Sequence, residues 1–287
     1  MEKSYLVAEH CFTIQAPETV FECMSQYEPF LTVEAFPKVF KLSICQTSFK
    51  FEDFTEDYRQ IDDGFTIVFG HTKEREHVFQ YYLGDQLESW IRCSEDLSNG
   101  TLYLYGKAIK FSINNGLMTL FAFATSTMRT LFFHSAVVSY KGRGYMFLGK
   151  SGTGKSTHAR LWLQHIEGAE LVNDDNPVVR IKDHGEVYVY GSPWSGKTPC
   201  YRNVKYPVGG IVKLKQSPYN KIQPVKGMDA YMVIKRSAAS MRWIKTIADG
   251  LHISENHIAK VTPIWFLECL PDEAAARLCQ SEIAYEG

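Results

Sequence analysis

The 287-residue chain carries 31 lysines and arginines against 32 acidic residues, a balance that leaves no basic field to attract a nucleic-acid backbone or an anionic membrane. Its length allows two unequal domains, each with a core of its own. The seven cysteines are scattered, with no close pair of the kind a zinc knuckle needs, and Met1–Tyr5 shows no secretion-signal pattern, so a protein of the reducing cytoplasm is expected.

Up to about Lys110, short β-branched and aromatic runs alternate with turn-forming or charged residues: Tyr5–Ile14, Phe40–Cys45, Phe65–Phe69, Val78–Leu83, Trp90–Cys93 and Leu102–Tyr105. The pattern predicts an antiparallel, β-rich N-terminal domain over residues 1–112. The apolar stretch Gly116–Phe133 is broken by Arg129 and by several Ser and Thr residues, which argues against a membrane span. Leu117, Leu120, Phe121, Ala124, Met128, Leu131 and Phe132 follow helical spacing and predict a buried helix that opens a second domain, residues 113–287.

Further along, the sequence predicts a strand at Ser135–Tyr140, a turn at Lys141–Gly144, a strand at Tyr145–Leu148, a glycine-rich loop and a helix over Thr157–His165. Strands follow at Leu171–Val172, Pro177–Ile181, Glu186–Tyr190, Gly210–Leu214 and Pro263–Cys269, with helices near Asp229–Ala248 and Asp272–Ile283. The expected fold class is α/β, a mixed sheet flanked by helices.

The loop Gly149-Lys150-Ser151-Gly152-Thr153-Gly154-Lys155-Ser156 fits G-x-x-x-x-G-K-[ST]. In that pattern glycines let the backbone fold round phosphate with its N–H groups pointing inward, and the loop must follow a strand and open a helix, as this one is predicted to do. Gly149, Ser151, Gly152, Thr153, Gly154, Lys155, Ser156 and Thr157 are therefore expected to hold the phosphates of ATP, with Lys155 on the β- and γ-phosphates and Ser156 on magnesium. Leu171-Val172-Asn173-Asp174-Asp175 places two acids at the end of an apolar strand, one suited to the metal and its neighbour to a proton; a turn or helix cap is the other use for such a pair. His134 stands at the junction of the apolar helix and the next strand. Gly191–Lys197 is a Gly/Ser loop ending in a cation, with Arg202 close behind, and such loops can close over a transferring phosphoryl group.

From His134 through Asp175 the sequence resembles the catalytic domain of HPr kinase/phosphorylase: a histidine before a strand hairpin, Gly-Lys-Ser-Gly-Thr-Gly-Lys-Ser, and paired aspartates ending the next strand. That family is akin to ATP-dependent phosphoenolpyruvate carboxykinase in its nucleotide core. The resemblance implies an ATP- and magnesium-dependent kinase, with Asp174 as general base, Asp175 and Ser156 at the metal, Lys155 on phosphate, His134 near the transfer centre, and Lys197 and Arg202 stabilising charge. It also makes a homo-oligomer an expectation. The glycine- and arginine-containing segment that engages HPr in that family has no counterpart here, so the acceptor hydroxyl belongs to a protein, a peptide or a small molecule. A nucleotide-gated regulator without phosphotransfer is the alternative reading.

Overall fold

The computed structural model describes residues 1–62, 64–196, 198–239 and 242–284, and the chain divides into two compact units. The first takes Met1–Thr125 and a short stretch around Trp243. Its strands are β1 (Glu2–Val7), β2 (His10–Gln15), β3 (Leu31–Thr32), β4 (Lys38–Gln46), β5 (Thr55–Asp62), β6 (Phe65–His71), β7 (His77–Leu83), β8 (Gln86–Cys93) and β9 (Asn99–Leu104). Among the described residues they form one sheet in the order β3-β1-β2-β4-β9-β8-β7-β6-β5. The pairs β2/β4 and β4/β9 run parallel and the rest antiparallel.

The run Tyr5–Ile14, expected as a single strand, is a hairpin. Ala8 and Glu9 take φ of 47° and 61°, the positive values that a two-residue turn matching strand twist demands. A short helix, α1 (Glu18–Phe21), follows, and α2 (Ile109–Thr125) lies against β4, β7, β8 and β9. A Cβ on Gly116 would come within 3.2 Å of Ile91 and Leu102, so glycine sets how closely this helix approaches the sheet. Phe121 packs edge-on against Phe12 and Phe123 against Phe79. The predicted boundary at 112/113 falls inside α2, and the whole helix belongs to the first unit.

The second unit contains β10 (Thr130–Phe133), β11 (Ser135–Tyr140), β12 (Arg143–Leu148), α3 (Lys155–His165), β13 (Glu170–Asp175), β14 (Val178–Ile181), β15 (Val187–Tyr190) and β16 (Lys205–Gln216). It continues with β17 (Lys221–Val225), α4 (Gly227–Ser237), β18 (Ala238–Ala239), α5 (Lys245–Val261), β19 (Ile264–Cys269) and α6 (Glu273–Ile283). Among the described residues the main strand path is β13-β11-β12-β16-β15-β14-β10-β18, with β19 beside β16 and β17 beyond it. Parallel β12/β16 and β16/β19 pairs sit among antiparallel ones, so the unit is α/β with a mixed sheet. Two helical expectations change. Thr130–Phe133, expected as the end of the apolar helix, is a strand entered through Arg129 at φ 54°, and Asp229–Ala248 divides into α4 and the start of α5.

The core that carries α3 is built from Ala136, Val138, Tyr145, Phe147, Trp162, Leu267, Cys279 and Ile283. Trp162 is fully buried, tilted over Tyr145 and Phe147 at ring distances of 5.5 and 5.6 Å. Burying an aromatic of this size supplies a large share of what fixes one helix on a sheet. No helix among the described residues is long and apolar enough to cross a membrane.

Candidate active site at one end of the second sheet

Strand register brings the separated motifs together. Ser135 at the start of β11 pairs with Leu148 at the end of β12 and with Asp175 at the end of β13, and Leu148 pairs with Lys213 in β16. His134, the loop that follows Leu148, the two aspartates and Lys213 therefore share one end of the sheet. The loop leads into α3, whose first residue is Lys155. Gly152 and Gly154 take φ of 77° and 101°, backbone that L side chains rarely adopt. A helix start leaves its first N–H groups without helical partners, and there the helix dipole favours an anion.

Lys155 is buried. Its Nζ lies 2.7 Å from His134 Nε2, 3.2 Å from Gly149 O and 3.5 Å from Lys150 O, a use for each of its three protons. Burial lowers its pKa from the ordinary lysine value, Asp175 and Asp174 oppose that fall, and Lys213 adds to it. With Nε2 accepting from Lys155, the imidazole carries its proton on Nδ1, which donates to Asp175 Oδ1 at 2.8 Å. Ser156 Oγ donates to Asp174 Oδ1 at 2.7 Å. Asp175 reaches its separate position through a φ of 129°, a strained value for a residue with a side chain.

The chain matches no family model and no curated protein. Among solved structures it is similar to the HPr(Ser) kinase/phosphatase from Coxiella burnetii, with a TM-score of 0.31 and 11% identity over 54% of this chain and 99% of that one. That is a weak structural resemblance, from which nothing about activity follows.

The segment after β15 is built against the aspartates. Gly196 N and Ser195 Oγ both donate to Asp174 O, at 2.5 and 3.1 Å, and Ser195 pairs with Asp175 across an isolated bridge. A Cβ on Gly196 would lie 2.9 Å from that of Asp175, so a side chain there would push the two segments apart. Buried Asn173 fastens the arrangement, donating to Ser192 Oγ and Trp194 O while its own Oδ1 accepts from Asn176 N. Nothing in the sequence pattern marked this anchoring role of Asn173. Lys197, expected to close over phosphate, lies outside the described residues.

Two expectations about roles meet different contacts. Arg202 is turned away: its guanidinium donates to Leu171 O at 2.6 Å and pairs with Glu170 at 2.8 Å, at the far end of β13 from the aspartates, because a carboxylate and a backbone carbonyl sit beside it there. Ser156 was expected to share a site with Asp175, but its hydroxyl meets Asp174, while Asp175 pairs with His134.

Three clefts border the loop. One of about 790 Å3 holds Lys155, Ser156, Thr157, Asp174, Asp175 and Ser151. A smaller one of about 400 Å3 lies between Thr157, Leu161, Leu214, Leu270 and Pro271. The third, about 1070 Å3, opens on the side of Gly149–Thr153 and reaches Lys213 and Arg236. His134 lines both the first and the third. Lys213 and Arg236 escaped the sequence reading, although a lysine inside the apolar run Ile211–Leu214 is a signal of its own.

Proposed function

We propose that the chain is an ATP- and magnesium-dependent phosphotransferase of HPr-kinase-like type, which moves the γ-phosphoryl group to a hydroxyl acceptor. The observation that carries the reading is the meeting, at one sheet end, of a glycine-rich helix start bearing Lys155 and Ser156 with two aspartates and His134. The residues fit the nucleotide. The positive-φ glycines form a cradle at a helix N-terminus, and the small, largely apolar cleft beside Thr157 suits the base.

Ser156 and Asp174 are the pair that would hold the magnesium, since their oxygens already converge. Lys155 would exchange its bonds to Gly149 O, Lys150 O and His134 for phosphate oxygens, which frees His134 Nε2. Asp175 keeps the imidazole oriented through Nδ1–H, and Nε2 takes the proton of the acceptor hydroxyl, as in other carboxylate–histidine pairs. Bound MgATP supplies the phosphoryl group and the positive charge that offsets charge building up during transfer. In this reading the aspartates exchange the roles inferred from sequence, Asp174 serving the metal and Asp175 the base. The test is single-turnover incubation with γ-labelled ATP and a cell extract. Label should pass to an acceptor with wild type and not with Lys155→Ala; saturable ATP binding with no labelled product would instead favour a nucleotide-gated regulator.

A further inference from the structure

In the phosphotransferase reading the nucleotide leaves the largest of the three clefts open. Phosphates and metal belong with Lys155, Ser156 and Asp174 in the cleft that those residues line, and the base with the smallest cleft, yet about 1070 Å3 of space remains on the other side of the loop. Four cations and one acid line it, Lys150 from the loop, Lys213 and Lys215 from β16, and Arg236 and Asp229 from α4, and of these Lys215 is paired with Glu268 at 2.9 Å. Among the described residues Lys150, Lys213 and Arg236 are ion-paired with no carboxylate. Lys213 is half-buried, and its pKa is lowered first by burial and then by Lys150 and Arg236. Like charges gathered in a cleft repel one another and are stabilised when an anion is seated among them. His134 borders the same cleft.

Resting on the phosphotransferase reading, we propose that this cleft seats the acceptor, and that the acceptor is a small hydroxylated molecule bearing a carboxylate or phosphate group. The anionic group lies on Lys150, Lys213 and Arg236, and the hydroxyl points to His134. The hydroxyl oxygen attacks the γ-phosphorus, a new O–P bond forms, and the bond from that phosphorus to the bridging oxygen of ADP breaks with its electron pair leaving on ADP. The hydroxyl proton passes to His134 Nε2. The products are ADP and a phosphate monoester of the acceptor.

The experiment uses the full chain with three probes that share a backbone and differ in charge, namely glycerate, glycerol phosphate and glycerol, together with a serine-containing peptide. Thermal stabilisation by each probe in saturating MgADP, and labelled product from MgATP, are measured for wild type, Lys213→Met and Arg236→Gln. One or both charged probes should stabilise wild type and glycerol should not, and which of them does so separates carboxylate from phosphate. Each substitution should weaken the charged probe about tenfold or more, raising KM more than it lowers kcat, while MgATP affinity stays within about threefold. Stabilisation by glycerol equal to that by the charged probes, transfer to the peptide alone, or a fall in MgATP affinity in both variants would overturn the proposal, the last by giving the cleft to the nucleotide. Charge-dependent probe binding without any transfer to a hydroxyl would sink the phosphotransferase reading and leave the anion site standing.

Discussion

Replacing Asp174 and Asp175 one at a time by Asn separates the metal from the base. In Asp174→Asn the side-chain amide oxygen can still accept the Ser156 hydroxyl, so the fold should lose only the charged part of one hydrogen bond, about 1 kcal/mol. MgATP at about a hundred times its Kd stabilises the native state by about 2.7 kcal/mol, which in a domain of this class raises Tm by roughly 5–11 °C. Loss of the carboxylate charge opposite a divalent cation, taken at about 2 kcal/mol, lowers affinity about thirtyfold. At the same ATP concentration about 0.9 kcal/mol of stabilisation then remains, or roughly 2–4 °C. Asp175→Asn should keep the full shift, because that side chain meets His134 and not Ser156, and should slow transfer by about two to four orders of magnitude. Scanning calorimetry with ATP, with and without magnesium, reads the binding effect, and single-turnover transfer reads the other. If Asp175→Asn lost the magnesium-dependent shift and Asp174→Asn kept it, the assignment from contacts would be wrong and the one read from sequence right.

Two further predictions concern the helix that carries the loop. His158 is buried and its pKa is pushed down to about 4, whereas in the unfolded chain it titrates near 6.5, so the unfolded state binds the extra proton between these values. The contribution is fully present above about pH 6.5 and is lost as pH falls toward about 4, by about 3 kcal/mol in all; urea unfolding at pH 7.5 and 4.5 should show a smaller pH difference in His158→Gln, and equal differences would contradict this. Trp162→Ala empties a fully buried site and leaves His158 Nε2 without its indole donor, so denaturant unfolding should show a loss of about 3–5 kcal/mol, and a loss under about 1 kcal/mol would mean that α3 is held by other contacts.

What the sequence disclosed depended on how local each feature is. The strand, loop and helix around Gly149–Ser156 lie where spacing put them, because positive-φ glycines and an apolar strand are local requirements. β5 went unread because Thr55–Asp62 closes one edge of its sheet and is mostly exposed, which removes the alternation that marks a strand. β17 hid for a similar reason, lying beyond β19 with Pro224 in it, as an edge strand tolerates. Thr130–Phe133 is buried at all four positions, and a short apolar run with no polar face cannot be told from a helix end by periodicity. At the site, Arg202 is close to the glycine loop in sequence but bonded to Glu170 in space, while Lys213 arrives only through its pairing with Leu148. Nor does spacing say that Ser156 meets Asp174 while His134 meets Asp175, since adjacent aspartates at a strand end look alike in sequence.

Titration of the purified chain with MgATP, set beside the same titration of Lys155→Ala, bears most directly on the central claim. Lys155 starts α3, lies buried under the loop and reaches His134 and two loop carbonyls, so its loss should remove the cation that meets the β- and γ-phosphates. The account predicts saturable binding by wild type at one nucleotide per chain, and an affinity at least about tenfold lower in the variant. Equal affinity in the two proteins, or no binding by wild type, would contradict it.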